Sequence, residues 1–331
     1  MALQRQTSTQ SCSELLEQFE NVCANRDISK QLNSNNQASA KHSNRIIFED
    51  VDDKDVYNIT AAFLDQNDLI IAGRVESRDT ELSQVIFFRQ EGEAWRPHPH
   101  YRTYELQDPF MTRIKGELIL GGVRVTADPM NPKHIISWVT EMYRGASLDT
   151  LKLFLTGPEH MKDVRVVELA GGEIGVLTRP QGEKGGRGKI GFFKTNKLEA
   201  ITAQQINDAP VFQDQFVAEE WGGANEPHLL ANGLIGVLGH IASFDSEGDR
   251  HYYAMTFAIN PQTMEKTPMK LIARRSIFPE GPTKRPDLVD VIFSGGLVRK
   301  EGGMAALYVG ASDAAAYVAE IPDPFLEYEQ L

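Results

Sequence analysis

The sequence predicts an all-β protein, a five-bladed β-propeller with a short N-terminal helical extension, and three observations carry that expectation. A unit of short strands recurs five times after residue 45. Every copy opens on a polar or acidic residue, and helical periodicity is almost absent beyond that point.

The unit is a short strand, a turn, a second apolar strand and then a third. Its first copy is YNITAAF from Tyr57, DLIIAGRVE from Asp68 and QVIFFR from Gln84. The second is QDPFMTRI from Gln107, GELILGGVRV from Gly116 and HIISWVTEMY from His134. KDVRVVEL from Lys162, GEIGVLTRP from Gly172 and GKIGFF from Gly188 form the third. The fourth is NEPHLLA from Asn225, GLIGVLGHI from Gly233 and RHYYAMTFAI from Arg250. DVIFSGGLV from Asp290, GMAALYVGASD from Gly303 and AAYVAEI from Ala315 complete the series. The unit heads fall at Asn58, Asp108, Asp163, Glu226 and Asp290, roughly 50 to 64 residues apart. That period suits a radial repeat with blades of about four short strands, three of them legible here. A two-sheet sandwich can also hold many short strands, but it gives no reason for a polar residue at every opening.

Residues 1–45 have a different texture, rich in Ser, Asn and Gln. Leu15, Leu16, Phe19 and Val22 share a helical face, with Ser11 and Glu14 as a capping box before it. The expectation is a helix and polar linker over 1–45, then a propeller domain over 46–331. The helix either lies on its own domain or serves as a homo-oligomerisation arm, and the first is the commoner use of such a face.

The 331 residues carry a net charge of -12 and no long Lys/Arg run. Nucleic acid and anionic membranes are therefore disfavoured as partners. An anionic small substrate would need a local basic cluster. The only cysteines are Cys12 and Cys23, so the core must rest on apolar burial. Met1 to Gln10 lacks the apolar run of a secretory signal, and no segment has the roughly 20 apolar residues of a membrane span. A cytoplasmic location is the expectation.

If the unit heads converge on an axis, they gather several carboxylates. Such groups raise one another's pKa values, which suits general acid work in glycosyl transfer. The alternative is that they cap strand ends. Arg74, Arg124 and Arg179 lie toward the ends of second strands, with His240 in the matching place of the fourth unit. Second strands run back toward the face where first strands begin, so these cations return to the same rim. Guanidinium groups there suit phosphate, or else neutralise the acids in structural ion pairs.

Other features carry less. GEKGGRGK from Gly182 lacks Ser or Thr after Lys189 and lies between strands, so it reads as a glycine-rich hairpin rather than a phosphate loop. RPHPHY, with His98 and His100, reads as an extended loop without a third metal ligand. Neither a metal nor another cofactor is expected. Of Trp95, Trp138 and Trp221, the last is best placed to stack on a sugar.

YNITAAF, LQDPF, the pair KDVR and LTRPQG, EWGGANEP with GHI, and DVIFSGG with LYVGASD occur in order over about residues 45 to 328. In these marks the chain resembles the inverting β-mannoside phosphorylases with a five-bladed propeller. It is closer to their relatives, the β-1,2-mannan (mannogen) mannosyltransferase/phosphorylase family. The resemblance implies that Asp108 is the catalytic general acid, its proton relayed through a mannosyl hydroxyl. It further implies phosphate binding by Arg179 and His240, with Lys162 and Arg74 as weaker matches. Asn58, Asp163, Glu226, Asp290 and Trp221 would hold the sugar. Partners implied are β-mannooligosaccharides with phosphate or mannose 1-phosphate, or GDP-mannose as donor. Where the phosphorylases have Glu-Asp-Pro-Arg, this chain has Gln107-Asp108-Pro109-Phe110, a departure that fits the mannogen branch. The other readings are a glycoside hydrolase on the same scaffold and a non-catalytic sugar-binding propeller.

Overall fold

The computed structural model describes residues 9–33 and 43–331, so the expected linker lies outside the described residues. Helix α1 (Cys12–Asn33) comes first and is longer than its apolar stretch suggested. The capping box forms: the Ser11 amide donates to Glu14 Oε2 (2.8 Å) and the Glu14 amide to Ser11 Oγ (3.2 Å). Leu15 is buried and Leu16 and Phe19 rest on the chain's own core, whereas Val22 is exposed. The Cys12 amide donates to both oxygens of Glu220 (2.9 Å each). The apolar face thus finds cover within the molecule, and nothing in the described residues supports an oligomer built on it.

The rest is mostly β. Strand β1 (Ser43–Arg45) pairs with the last strand of the chain. A first antiparallel group holds β2 (Asp55–Tyr57), β3 (Phe63–Asp65), β4 (Asp68–Glu76), β5 (Gln84–Glu91) and β6 (Ala94–Pro97). The second holds β7 (Gln107–Ile114), β8 (Glu117–Asp128), β9 (Asn131–Gly145) and β10 (Lys152–Thr156). The third holds β11 (Arg165–Glu168), β12 (Ile174–Thr178) and β13 (Gly191–Thr195), with the one-turn helix α2 (Gly182–Gly185) between the last two. Helix α3 (Ala203–Asp208) follows, its Ile206 packing into the apolar cluster between the second and third groups, and Val211 beyond it bridges Gly191 at the edge of β13. Then come β14 (Trp221–Leu229), β15 (Ile235–Phe244), β16 (Arg250–Ile259) and β17 (Lys270–Ala273). The fifth group is β18 (Asp290–Arg299), β19 (Met304–Ala311) and β20 (Ala315–Pro322), completed by β1. The last two groups are fused into one sheet by a short parallel pairing, His251 with Asp290 and Tyr252 with Val291, which the repeat pattern did not foretell.

The core is divided in the same way. One cluster, including Phe87, Leu106 and Leu120, lies between the first and second groups. Others lie between the second and third (Phe110, Ile119, Val176), the third and fourth (Phe192, Val237, Phe257), and the fourth and fifth (Leu238, Leu307, Tyr317). A further cluster joins the fifth back to the first through Val56, Ile59, Phe88 and Ala316. Alternating side chains let each sheet present an apolar face to both neighbours.

First strands approach one another closely at the middle. β7 touches β11 and β18, as well as β4, the second strand of the first unit, and β14 touches both β11 and β18. Near their openings the ladders slip, at Gln107–Phe110, Ala224–Glu226 and Ser294–Gly296, and such bulges re-aim side chains. Glycine is needed where the fifth group meets the first. A Cβ at Gly295 would lie 1.6 Å from the Ile59 carbonyl oxygen, and one at Gly310 2.1 Å from Asn58 Oδ1. No helix among the described residues is long and apolar enough to cross a membrane.

The Gly295→Ala protein should therefore be less stable by about 1–3 kcal/mol, as overpacked sites are. Urea unfolding followed by circular dichroism reads this, and an unmoved midpoint would contradict so tight a contact between the first and fifth groups.

Candidate active site

A cavity of about 330 Å³ opens where the first strands meet. Asn58, Asp108 and Asp163 line it from the openings of the first three groups, and Arg74, Arg179 and His240 reach it from second strands or their ends. Lys162 completes the set read from the sequence. The three heads share a left-handed backbone, with φ of 43°, 47° and 61°. Asn and Asp adopt that conformation more readily than other residues with a Cβ, which is a local reason for their types there.

Buried charges are paired in two linked sets. Asp108 Oδ1 accepts from Asn58 Nδ2 (2.7 Å) and from Arg74 Nη1 (3.1 Å). Arg74 also donates from Nη2 to Glu76 Oε2 (2.6 Å) and from Nε to Ser83 Oγ (2.9 Å), so its fork is fully engaged. Lys284, from the loop before β18, forms a buried pair with Glu76 on the far side. In the second set Asp163 lies 3.2 Å from Arg179 Nη1 and 3.5 Å from Arg165 Nη2. Arg179 Nε donates to the Gly222 carbonyl (2.8 Å) and Arg165 Nε to the Asn225 carbonyl (2.8 Å). Arg165 also lies over the Phe110 ring, at 4.6 Å.

Two buried atoms of this set, Asp163 Oδ1 and Arg179 Nη1, have no hydrogen-bond partner. Lys162 makes no ion pair among the described residues. Cationic donors are thus free to meet an anion here. Two glycines leave room for the arrangement. A Cβ at Gly223 would be 2.8 Å from His240 Cε1 and 2.9 Å from Arg179 Cδ, and one at Gly188 2.8 Å from Arg179 Nε.

Charge pairing decides protonation. Burial pushes the Asp108 carboxyl up, but Arg74, Lys162 and the Asn58 hydrogen bond outweigh it and hold the group below its ordinary value. Burial likewise opposes the Asp163 carboxylate, yet Arg179 and Arg165 hold its pKa at about 2. The expectation that neighbouring acids raise one another fails for both, because arginines lie nearer than the other carboxylates. It holds instead for Asp313, raised by burial and, against the pull of Arg74, by Asp108. Burial lowers His240 to about 3, with Arg179 and Lys162 adding to the effect against Asp163, so the ring is neutral. Asn225 donates from Nδ2 to the Ser294 carbonyl (2.8 Å), which turns its Oδ1 toward His240 Nδ1 (2.9 Å). The His240 proton therefore sits on Nδ1, and Nε2 is an acceptor.

A family model described as a protein of unknown function (DUF1861) matches residues 32–327. The chain belongs to that family. A mannose phosphorylase from Leishmania mexicana, solved in complex with phosphate ion, is 32% identical over 92% of this chain and 94% of its own, with a TM-score of 0.79. A GDP-Man-dependent mannosyltransferase from Leishmania mexicana is 30% identical over 96% of this chain and 95% of its own, with a TM-score of 0.81. A β-1,2-mannobiose phosphorylase from Listeria innocua shares the fold at 12% identity and a TM-score of 0.59, over 89% of this chain and 94% of its own. No curated protein sequence gives a significant match. These neighbours match the family resemblance read in the sequence.

Within this family member, several residues expected at the cavity lie elsewhere. Glu226 follows the bulge and faces away, accepting from the Leu297 amide (2.7 Å) and meeting His228 Nε2 (2.7 Å). Its neighbour Asn225 takes the inward place. Asp290 sits on the seam of the fused sheet, bonded to His251 Nδ1 and Tyr253 Oη (2.8 Å each), and the next residue, Val291, lines the cavity instead. Both misplacements follow from the two-residue alternation of a strand, where a shift of one reverses the face. Trp221 lies behind the wall, donating from Nε1 to Tyr252 Oη (3.1 Å), and Tyr252 is the aromatic residue at the cavity. Arg124 pairs with Glu141 (2.5 Å) and does not line it. The Gly182 segment joins the antiparallel strands β12 and β13 as the hairpin expected, with a helical turn within it, and Arg187 from it covers Trp221. His98 stacks on Tyr101 and meets Asp68 (3.1 Å), and no cluster of metal ligands is found among the described residues.

Sequence reasoning missed Arg165 and Asp313, although KDVR and LYVGASD contain them. It also missed Glu81, Arg250 and Arg285 at the mouth. A buried arginine two residues past an acidic unit head was the one available signal.

Asp163 carries the two-arginine pairing, so Asp163→Asn should cost about 3–5 kcal/mol by leaving buried cations unpaired. The sign follows from its lowered pKa: its stabilisation is full above the unfolded value of about 4 and is lost as pH falls toward about 2. Acid unfolding of the variant, compared with the parent by circular dichroism, should lack that component. An identical profile would overturn the pairing as a source of stability.

Proposed function

We propose that this chain is an inverting mannosyl-transfer enzyme that joins or cleaves β-1,2-linked mannosides using a phosphorylated mannosyl donor. Residues 46–331 would form its catalytic domain, a five-bladed propeller whose blades are the five antiparallel groups. The ring of five interlocking apolar clusters supports that architecture, and the two Leishmania mexicana relatives support the reaction class. We place the enzyme in the cytoplasm, where phosphorylated sugars are available and a buried thiol such as Cys12 persists.

The observation that carries the reading is the side-by-side placement of two functions in one cavity. Asp108 is a buried carboxylate held in its basic form by Asn58 and Arg74. Beside it stand Lys162 and Arg179, with donors free for an anion. In the synthetic direction an acceptor hydroxyl attacks the anomeric carbon of mannose 1-phosphate from the face opposite the phosphate. The anomeric carbon–phosphate oxygen bond breaks, phosphate leaves with the electron pair, and the acceptor proton passes to Asp108, through a mannosyl hydroxyl if the relay implied by the resemblance holds. Phosphorolysis runs the same path backwards, with Asp108 returning the proton as general acid.

Lys162 and Arg179 bind the phosphate by charge and His240 through Nε2, which accepts a hydrogen bond from a phosphate O–H or a sugar hydroxyl. Arg74, its donors already engaged, orients Asp108. Asn58, Asp163 and Asp313 face the sugar hydroxyls, with Tyr252 as the apolar wall. Electrostatic preorganisation by these groups stabilises the separating charges.

Purified protein supplied with mannose 1-phosphate and mannose or a short β-1,2-mannan acceptor should release phosphate as the chain grows. Asp108→Asn should lower that rate by about 10²–10⁴-fold with the fold intact. An unchanged rate would remove Asp108 from the chemistry. Silence with mannose 1-phosphate and GDP-mannose alike would leave a non-catalytic sugar-binding protein.

A further inference from the structure

The cavity carries its cations in two tiers with different states of neutralisation. Deep inside, Lys162 has no ion pair among the described residues, and Arg179, although its Nη1 lies 3.2 Å from Asp163, keeps that nitrogen without a hydrogen bond. At the mouth stand Arg250 and Arg285, both lining the cavity and both partly exposed. These outer guanidinium groups grip one carboxylate. Arg250 Nη1 donates to Asp287 Oδ2 (3.0 Å), while Arg285 donates from Nε to Oδ1 (3.0 Å) and from Nη2 to Oδ2 (3.2 Å). Glu81 lies 3.5 Å from the remaining Arg285 nitrogen. Asp287 thus occupies both rim arginines, whereas Glu81 is shared with Lys284 (3.0 Å) and Arg74 (3.3 Å), and Arg285 and Arg250 hold the Asp287 carboxyl below its ordinary value.

A donor with one phosphate needs only the inner tier. A nucleoside diphosphate sugar has a second phosphate that must extend outward from the first, toward the mouth. There it meets arginines already occupied and two carboxylates of its own sign. Like charges set against an incoming group are the usual way a site rejects a near relative of its ligand.

We propose that Asp287 is a specificity determinant: by occupying Arg250 and Arg285 it restricts the site to donors with a single phosphate and excludes nucleoside diphosphate sugars. This rests on reading the cavity as a phosphate-dependent hexosyl-transfer site. It selects between the two donor types used by the relatives, which the sequence left open. Asp287 lies in a single 3-10 turn beside the mouth, so its removal alters charge without opening the core.

The test uses the full chain and calorimetric titration with orthophosphate, mannose 1-phosphate, GDP and GDP-mannose. The parent should bind the first two at least about tenfold more tightly than the last two. Asp287→Ala should tighten GDP and GDP-mannose by about tenfold or more, and shift orthophosphate far less. Adding Arg250→Ala or Arg285→Ala to that variant should reverse the gain, which a general loosening of the loop would not do. A parent protein that binds GDP-mannose as tightly as mannose 1-phosphate would overturn the proposal. So would an Asp287→Ala protein with no gain for GDP. If none of the four ligands binds the parent, the phosphate-site reading itself falls, and the proposal falls with it.

Discussion

Asp163 lies at the centre of the molecule with 2% exposure, between Arg179 and the equally buried Arg165. Charges so placed must be paired, since water is not there to solvate them. Much of the surrounding structure follows from that requirement. The Asn225 and Gly222 carbonyls turn toward the arginines, and Gly223 and Gly188 lack the side chains that would collide with Arg179. Asp163, Arg165 and Arg179 all belong to the third group, and the hydrogen bonds from the two arginines to carbonyls of β14 tie that group to the fourth. Apolar clusters between successive sheets hold the periphery, while the hub is held by charge.

The same pairing governs the chemistry. A carboxylate dyad in an apolar pocket would share a proton, but here each acid has a cation nearer than the other acid. Asp108 and Asp163 are therefore held ionised, and only Asp313 is pushed toward its neutral form. The cavity consequently presents ionised carboxylates, cations with an unused donor and one carboxyl with a raised pKa, rather than a cluster of interchangeable acids. The Lys284–Glu76–Arg74–Asp108 chain extends this order outward, tying the loop that carries Arg285 and Asp287 to the base at the centre.

Much of the fold was legible because strands write a period of two and the unit writes a period of its own. The five groups, the capped helix before them and the return of second strands to one rim could all be read from the residues. Asn58, Asp108 and Asp163 were legible as heads because left-handed openings favour Asn and Asp. Glu226 and Asp290 were misread because a bulge at Ala224–Glu226 and the parallel seam at His251–Asp290 shift the inward position by one residue. A one-residue shift preserves the pattern of strands but reverses every side chain.

The sequence by itself determined the repeating strands, the polar openings and the supply of basic residues at second-strand ends, since each depends on neighbours in the chain. Only the tertiary structure decided which acids are ionised, which cations remain free and which residues face the cavity. Those properties depend on distances between groups far apart in sequence. Arg165 shows the difference: it stands two residues from Asp163 in the chain, yet its role comes from Asn225 and Phe110, which the fold brings to it.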